Sequence, residues 1–246
     1  MQIEELTVIV PTRNERRNIR AFLASLPDEV ELIVVDASDD ETPQLIRDIR
    51  PHATTVIQRP CNVVAARQIG AEAANTPWLL FTDADVIFSL TYFSDLARLD
   101  TSDPRLGAIY GAKKACDRFV AYHRWFTRAQ GFFAALRIPA ATGSNLLISR
   151  AAFRDAGGFD LRLTCNEDSE IAWRIQRRGY RTMFAPSLVV YACDHRRLER
   201  GVMRKVLHSS LRCFLLYFNL LPSRWRGRDW GYWSDASSAR APSQPR

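Results

Sequence analysis

Two carboxylates one residue apart, Asp83 and Asp85, close an apolar run: Leu79-Leu80-Phe81-Thr82-Asp83-Ala84-Asp85-Val86. Burying an unpaired carboxylate costs several kcal/mol. A strand that delivers two of them to one place therefore expects a cation there. Aspartate oxygens are hard donors of the kind Mg2+ or Mn2+ takes, and Mg2+ commonly shares its shell with substrate phosphates. The pair thus points to a metal–diphosphate group. Asp-x-Asp alone also describes an acidic turn or helix start. What else converges on it decides between the two.

Two further polar loops follow buried strand patterns. Leu6 to Pro11 reads as a strand that runs into Thr12-Arg13-Asn14-Glu15, and Glu31 to Asp36 reads as a second, followed by Asp39, Asp40 and Glu41. Continuous apolar runs of this kind suit strands covered on both faces. Helical spacing separates them: Ile19, Phe22, Leu23 and Leu26, then Pro43 to Ile49, with Asn14 or Glu15 placed to cap the first. A short strand at Thr54 to Ile57, an alanine-rich helix at Val63 to Ala74 and the strand Trp78 to Phe81 complete the alternation. Alternating strands and helices imply an α/β fold with a mostly parallel central sheet flanked by helices. Ligands of such sheets bind beyond the carboxyl ends of the strands, where all three acidic loops lie. Neither Gly-x-Gly-x-x-Gly nor Gly-x-x-x-x-Gly-Lys occurs, so the usual dinucleotide and P-loop devices are missing.

The chain has 246 residues, 47% hydrophobic and 25% charged, enough for one large domain or one and a half, with a sizeable core. Its net charge of +7 suits phosphorylated substrates, anionic lipid or nucleic acid. Five widely spaced cysteines without a Cys-x-x-Cys argue against a disulfide framework or structural zinc and for a reducing cytosol. The opening residues carry no secretory-signal pattern, and no apolar run approaches the roughly 20 residues of a spanning helix.

Further along, Phe88 to Leu99 reads as helix and Leu106 to Ala112 as strand. Arg118 to Ile138 is dense in aromatics interleaved with arginines, which fits either core or an apolar wall for an acceptor or membrane. Thr142 to Ser149 reads as a strand entered through small residues, and Arg150 to Ala156 as a short helix. Asn166 is placed to cap a helix whose first turn holds Glu167 and Asp168, so capping is one role open to those acids. Tyr180 to Ala185 and Leu188 to Tyr191 read as two short strands. From Arg196 to Arg212 six Arg or Lys residues face Glu199 alone, an excess of +5, and Arg196, Arg200, Arg204, His208 and Arg212 recur every fourth position. Phe214 to Phe218 follows at once, and basic followed by apolar is a pattern of segments that lie on anionic membranes. The Ser-, Pro- and Arg-rich tail from Ser234 reads as disordered.

Taken in order, these motifs resemble the family 2 glycosyltransferases, inverting enzymes with the Rossmann-like GT-A fold. The resemblance covers about Leu6 to Tyr191: the opening strand and loop through Glu15, the second motif at Asp36, Arg67 before the metal strand, Asp83-Ala84-Asp85, Thr142 to Asn145 with Gly157 to Asp160, and Glu167-Asp168 with Arg174 and Gly179. It implies a catalytic domain over 1–193; outside the match, the residue pattern gives a basic helical and apolar segment over 194–233 and a tail over 234–246. It implies that Pro11, Arg13, Glu15, Asp36, Arg67 and Asp83 hold the nucleotide, that Asp85 ligates Mg2+ or Mn2+, and that Asp168 is the general base. His195 is a further metal-ligand candidate, with a surface histidine beside an arginine cluster as the plain alternative. Gly143, Asn145, Glu167, Arg196 and Arg197 fall on the acceptor and phosphate side. The implied donor is a UDP- or GDP-sugar and the implied acceptor a glycan or lipid, with a polyprenyl-phosphate sugar transferase as the alternative within the fold. The expected location is the cytoplasm, with peripheral contact at the inner face of the cell membrane. A nucleic-acid-binding role fits the charge but lacks any reading module, and the acidic strand ends would repel phosphate without metal.

Overall fold

The computed structural model describes residues 1–193, 195–199 and 201–227; the side chains of Arg196 and Arg197 lie outside this set. So do Asp194, Arg200 and the tail from 228, including the stretch expected to be disordered.

The first half follows the alternation read from the sequence. In chain order come β1 (Leu6–Thr12), α1 (Ile19–Ala24), β2 (Glu31–Asp36), α2 (Thr42–Ile49), β3 (Thr54–Gln58), α3 (Val63–Ala73) and β4 (Trp78–Phe81). Next are β5 (Val86–Phe88), α4 (Tyr92–Ala97), β6 (Leu106–Ala115), α5 (Val120–Ala135), β7 (Leu146–Ser149), α6 (Arg150–Asp155), α7 (Glu167–Arg177) and β8 (Arg181–Ala192). The described chain closes with α8 (Arg196–Glu199), α9 (Val202–Tyr217) and α10 (Ser223–Arg226).

Among the described residues the eight strands form one sheet in the order β3-β2-β1-β4-β7-β6-β8-β5. Strands β1 to β4 are parallel, β6 and β8 share their direction, and β7 and β5 run against it. The sheet is therefore mostly parallel, as expected. Alternate residues of its strands feed two cores. Val8, Val10, Leu32 and Val34 meet α1, α2 and α4 on one face. Ile9, Ile33 and Val35 meet α3, α6 and α7 on the other. Helices on both faces explain why these strands read as unbroken apolar runs rather than alternating ones.

Four local expectations change. The three-residue β5 precedes α4, so Phe88 belongs to a strand and not to a helix. The two short strands after Gly179 are one, β8, which passes Pro186 and Ser187 through a register shift opposite Gly111 and Ala112. The aromatic segment is a surface helix: α5 buries His123 and Gln130, while Trp125 is 51% and Phe132 63% exposed. The basic stripe is broken, because Gly201 takes φ +119° between α8 and α9. Arg212, expected on its outer face, is fully buried and donates to the Arg226 carbonyl at 2.6 Å. α9 exposes apolar side chains beside Arg204, with Met203 at 79% and Leu207 at 70%. Leu216 and Leu221 join the C-terminal helices to Trp173 of α7. Among the described residues no helix is long and apolar enough to cross a membrane.

Candidate active site

The parallel strands β1, β2 and β4 end on one edge, and the loops after β1 and β2 are stitched together there. Asp36, at the end of β2, is buried; its Oδ1 accepts from Thr12 Oγ1 at 2.6 Å and Ser38 Oγ at 2.7 Å, and its Oδ2 from the Ser38 amide at 3.2 Å. The Asn14 amide donates to Ser38 Oγ at 2.8 Å, and the Asp39 amide to Asn14 Oδ1 at 2.9 Å. These bonds hold the 12–15 loop against the 36–40 loop. Pro11 and Glu15 are half-buried at this edge and Arg13 is exposed. Glu15 starts α1 with its backbone carbonyl, which accepts from the amides of Asn18 and Ile19 at 2.9 Å.

The centre of the site is Arg67, on α3 and 4% exposed. Its Nη2 donates to Asp83 Oδ1 at 2.6 Å and to the Gly143 carbonyl at 3.1 Å, and its Nη1 pairs with Glu167. Burial works against the arginine's charge, but Asp83, Glu167 and Asp168 outweigh it and hold the guanidinium protonated. Gly143 leaves no room for a side chain, since an added Cβ would overlap the Arg67 guanidinium. Its amide donates to Asp168 Oδ2 at 2.7 Å. The loop that carries Gly143 is tied to α7 by Ser169 Oγ to the Ala141 carbonyl at 3.1 Å and Trp173 Nε1 to the Pro139 carbonyl at 2.8 Å. It is tied to the β4 end by Thr82 Oγ1 to the Ser144 carbonyl at 3.1 Å. One buried cation thus joins α3, the β4 end, the 139–145 loop and the start of α7.

Asp168 Oδ1 also receives the Ser169 amide at 2.7 Å. Loss of hydration and the adjacent Glu167 charge raise the Asp168 carboxyl, against Arg67 and the two amides, to about 6. A carboxylate poised there is a strong enough base to take a hydroxyl proton near neutrality. Asp168 does cap in part, since it takes the first-turn Ser169 amide of α7, whereas Glu167 does not. Glu167 is bound to Arg67, and Asn166, at φ +61°, makes no capping bond.

Asn145 does not stand where an acceptor would meet it. It is fully buried, its Oδ1 accepts from Tyr92 OH at 2.7 Å, and its Nδ2 donates to the Leu188 and Ala112 carbonyls at 2.9 and 3.1 Å. Both ends of the carboxamide are engaged inside the fold, bridging β6, β8 and α4. Sequence alone gives the residue type and not its direction. Arg196 and Arg197 belong to α8, and their side chains lie outside the described residues.

His195 is 3% exposed, which sets aside its reading as a surface residue. Its Nε2 meets Asp117 Oδ1 at 2.7 Å, while its Nδ1 is buried without a hydrogen-bond partner among the described residues. A carboxylate that fixes the ring through one nitrogen and leaves the other lone pair unused is the arrangement found behind metal-bound histidines. Asp117, 78 residues from His195 in the chain, carries no sequence signal for this role. Asp85 lies one strand away, its carbonyl accepting the Cys193 amide at 3.0 Å. The donor types, a carboxylate and an unused imidazole nitrogen, fit a divalent cation. Among the described residues no three His, Cys, Asp or Glu side chains converge as a ready-made cage. A metal here would need oxygens from its ligand, as Mg2+ commonly does. A separate groove of about 710 Å³ runs along the Glu170–Arg177 side of α7, lined by Asp160, Arg162, Arg174, Tyr217 and Arg226, and excludes Asp83, Asp85 and Asp168.

The chain is similar to known proteins. Residues 7–157 match the model of the family described as "Glycosyl transferase family 2". A pre-mycofactocin glycosyltransferase of Mycobacterium tuberculosis is 26% identical over 220 residues, 84% of this chain and 46% of that protein. A poly-beta-1,6-N-acetyl-D-glucosamine synthase of Staphylococcus aureus is 22% identical over 204 residues, 75% of this chain and 49% of that protein. The chain thus spans about half the length of these relatives. Among solved structures, the mannosyltransferase PcManGT from Pyrobaculum calidifontis, in complex with GDP-Man and Mn2+, superposes with a TM-score of 0.65 at 22% identity, over 98% of this chain and 77% of that one. TarS 1-349 of S. aureus superposes at 0.60 and 18% identity, over 89% and 71%. The likeness to these structures is one of GT-A fold, and the family match covers the part of the site that holds Asp36, Arg67, Asp83, Asp85 and Gly143, ending before Glu167, Asp168 and His195. The chain belongs to glycosyl transferase family 2.

Proposed function

We propose that the protein is a glycosyltransferase that moves a sugar from a nucleoside diphosphate sugar to an acceptor hydroxyl by a single displacement with inversion. The observation that carries this reading is the Arg67 junction, which ties Asp83 on the donor side to Glu167-Asp168 on the acceptor side. Pro11, Arg13, Glu15 and Asp36, on the loops beside it, are assigned to the base and ribose. Asp168 takes the acceptor proton as the acceptor oxygen bonds to the anomeric carbon. The bond from that carbon to the diphosphate breaks on the opposite face, and the diphosphate leaves. Arg67 holds the acid pair and Asp83 in place, and the Gly143 amide fixes one oxygen of the base. Mg2+ or Mn2+ on Asp85 and His195 would neutralise the charge that develops on the departing diphosphate. The structural relative with bound GDP-Man and Mn2+ supports a donor and metal of this kind.

The acceptor in this reading is a lipid or lipid-linked glycan presented at an anionic membrane. Its support is the exposed apolar surface of α5 and α9, including Trp125, Phe132, Phe133, Met203, Leu207 and Phe214, set among exposed Arg118, Arg124 and Arg204. Incubation of the full chain with UDP- and GDP-sugars, Mn2+ and glycan or polyprenyl-phosphate acceptors tests the proposal. Release of nucleoside diphosphate, with an inverted anomeric configuration in the product and loss of both in Asp168→Asn, is the expected result. A retained configuration would exclude the single displacement.

A further inference from the structure

Cys116 and Cys193 are 77 positions apart in the chain, yet their sulfurs lie 2.6 Å from each other. The sheet brings them together. Parallel strands β6 and β8 pair Ala115 with Ala192, and the Cys116 amide donates to the Ala192 carbonyl at 3.0 Å. Each cysteine directly follows its paired alanine. The two backbones are therefore still about one strand spacing apart, ~4.8 Å, within the ~4.4–6.8 Å that a disulfide bridges. Residues level with each other on parallel strands turn to the same side of the sheet, so the two thiols face each other. Both are free, and Cys116 is exposed, within reach of an oxidant in solution. Wide sequence spacing, which argued against disulfides, says nothing about a pair made by strand register.

The pair also underlies the metal side of the site. The Cys193 amide donates to the Asp85 carbonyl at 3.0 Å. Asp117, next to Cys116, binds His195, two residues after Cys193. Whatever fixes the two sulfurs fixes the strand ends that carry these contacts.

We propose that Cys116 and Cys193 form a disulfide modification site, closed by a low-molecular-weight disulfide, and that closure locks the ends of β6 and β8 beneath Asp85 and His195. The deprotonated Cys116 sulfur attacks one sulfur of the small disulfide, forming a mixed disulfide and releasing the first small thiolate. Cys193 then loses its proton, attacks the Cys116 sulfur and displaces the second. Two protein thiols are oxidised to one disulfide, one small disulfide is reduced to two small thiols, and the protons end on the released thiols.

The test needs neither donor nor acceptor, so its outcome is separate from that of the proposed reaction. The full chain is treated with oxidised glutathione or with dithiothreitol, then alkylated, digested and mapped by mass spectrometry. The expected result is a Cys116–Cys193 linked peptide, a mass lower by ~2 Da, and alkylation of Cys61, Cys165 and Cys213 unchanged. Amide hydrogen exchange across 191–199 should slow by ~10-fold in the oxidised form, and Cys116→Ser, at an exposed position that the fold tolerates, should abolish that difference. Five alkylatable thiols after oxidation, or a glutathione adduct on Cys116 that never closes, would overturn the disulfide site. A closed bond with unchanged exchange would overturn the locking.

Discussion

Arg67 Nη2 and Asp83 Oδ1 meet at 2.6 Å, with the arginine only 4% exposed. The same guanidinium pairs with Glu167, next to Asp168, so the proposed donor and acceptor sides of the site share one counter-ion. Removing it strands carboxylates in a place built for a cation. Arg67→Met should cost ~3–5 kcal/mol of stability, read as a lower midpoint in denaturant unfolding. Arg67→Met with Glu167→Gln should recover part of that loss. A single variant within ~0.5 kcal/mol of the parent, the usual range for neutral surface changes, would remove Arg67 from the centre of the account.

Asp168 is assigned to proton transfer, so its loss should act on turnover more than on folding. Asp168→Asn keeps an acceptor for only one of the Gly143 and Ser169 amides and should lower stability by the ~1–3 kcal/mol of one unsatisfied group, while kcat falls by ~10²–10⁴-fold. Steady-state kinetics with saturating donor give the answer. Equal losses in stability and rate would make the residue structural.

The pH dependence follows from the same carboxyl. Burial and Glu167 raise it to about 6, and only the ionised form accepts a proton. The rate should therefore fall as pH drops below about 6, with unit slope. Glu167→Gln removes the neighbouring negative charge, so Asp168 should ionise at lower pH and the acid limb should move down. A limb that stays in place, or moves up, would contradict the assignment.

Asn145 is predicted to matter for the fold. Three hydrogen bonds end on its buried carboxamide. Leaving their partners unsatisfied costs ~1–3 kcal/mol for each group. Asn145→Ala should lower the unfolding midpoint and leave the KM for acceptor unchanged in the protein that remains folded. A raised acceptor KM without loss of stability would return Asn145 to the acceptor site.

His123 offers a separate stability test. Burial, with Lys113 and Lys205 adding to it, lowers its pKa to about 4. The unfolded chain takes up that proton near 6.5. A depressed histidine thus contributes stability above the unfolded value and loses it as pH falls from about 6.5 to about 4, by ~3 kcal/mol at most. His123→Asn, which keeps a donor for the Lys113 carbonyl, should flatten unfolding midpoints across that window.

How far the sequence reveals this protein depends on how local each signal is. Strands β1, β2 and β4 are legible because a strand covered on both faces is a continuous apolar run, and their acidic ends mark the ligand edge. Strand β5 has three residues, too few to show a period. Strand β8 looks like two because Pro186 interrupts it, and its continuity depends on a bulge against β6. The four-residue recurrence of basic side chains suggested one helix face, but Gly201 breaks the helix and Arg212 turns inward to cap carbonyls near α10. Asp83, Asp85 and Asp168 stand out by type and position. Asp117 and the Cys116–Cys193 contact depend on strand pairing across more than seventy residues, which no local pattern encodes.

The central claim is a nucleoside diphosphate site completed by a metal at Asp85, and calorimetric titration tests it most directly. UDP and GDP would each be titrated into the protein with and without Mn2+, and into Asp85→Ala. The account predicts that one nucleotide binds tightly only with Mn2+ and that the substitution removes the gain from metal while the fold persists. Equal binding with and without Mn2+, or a metal gain that survives in Asp85→Ala, would contradict it.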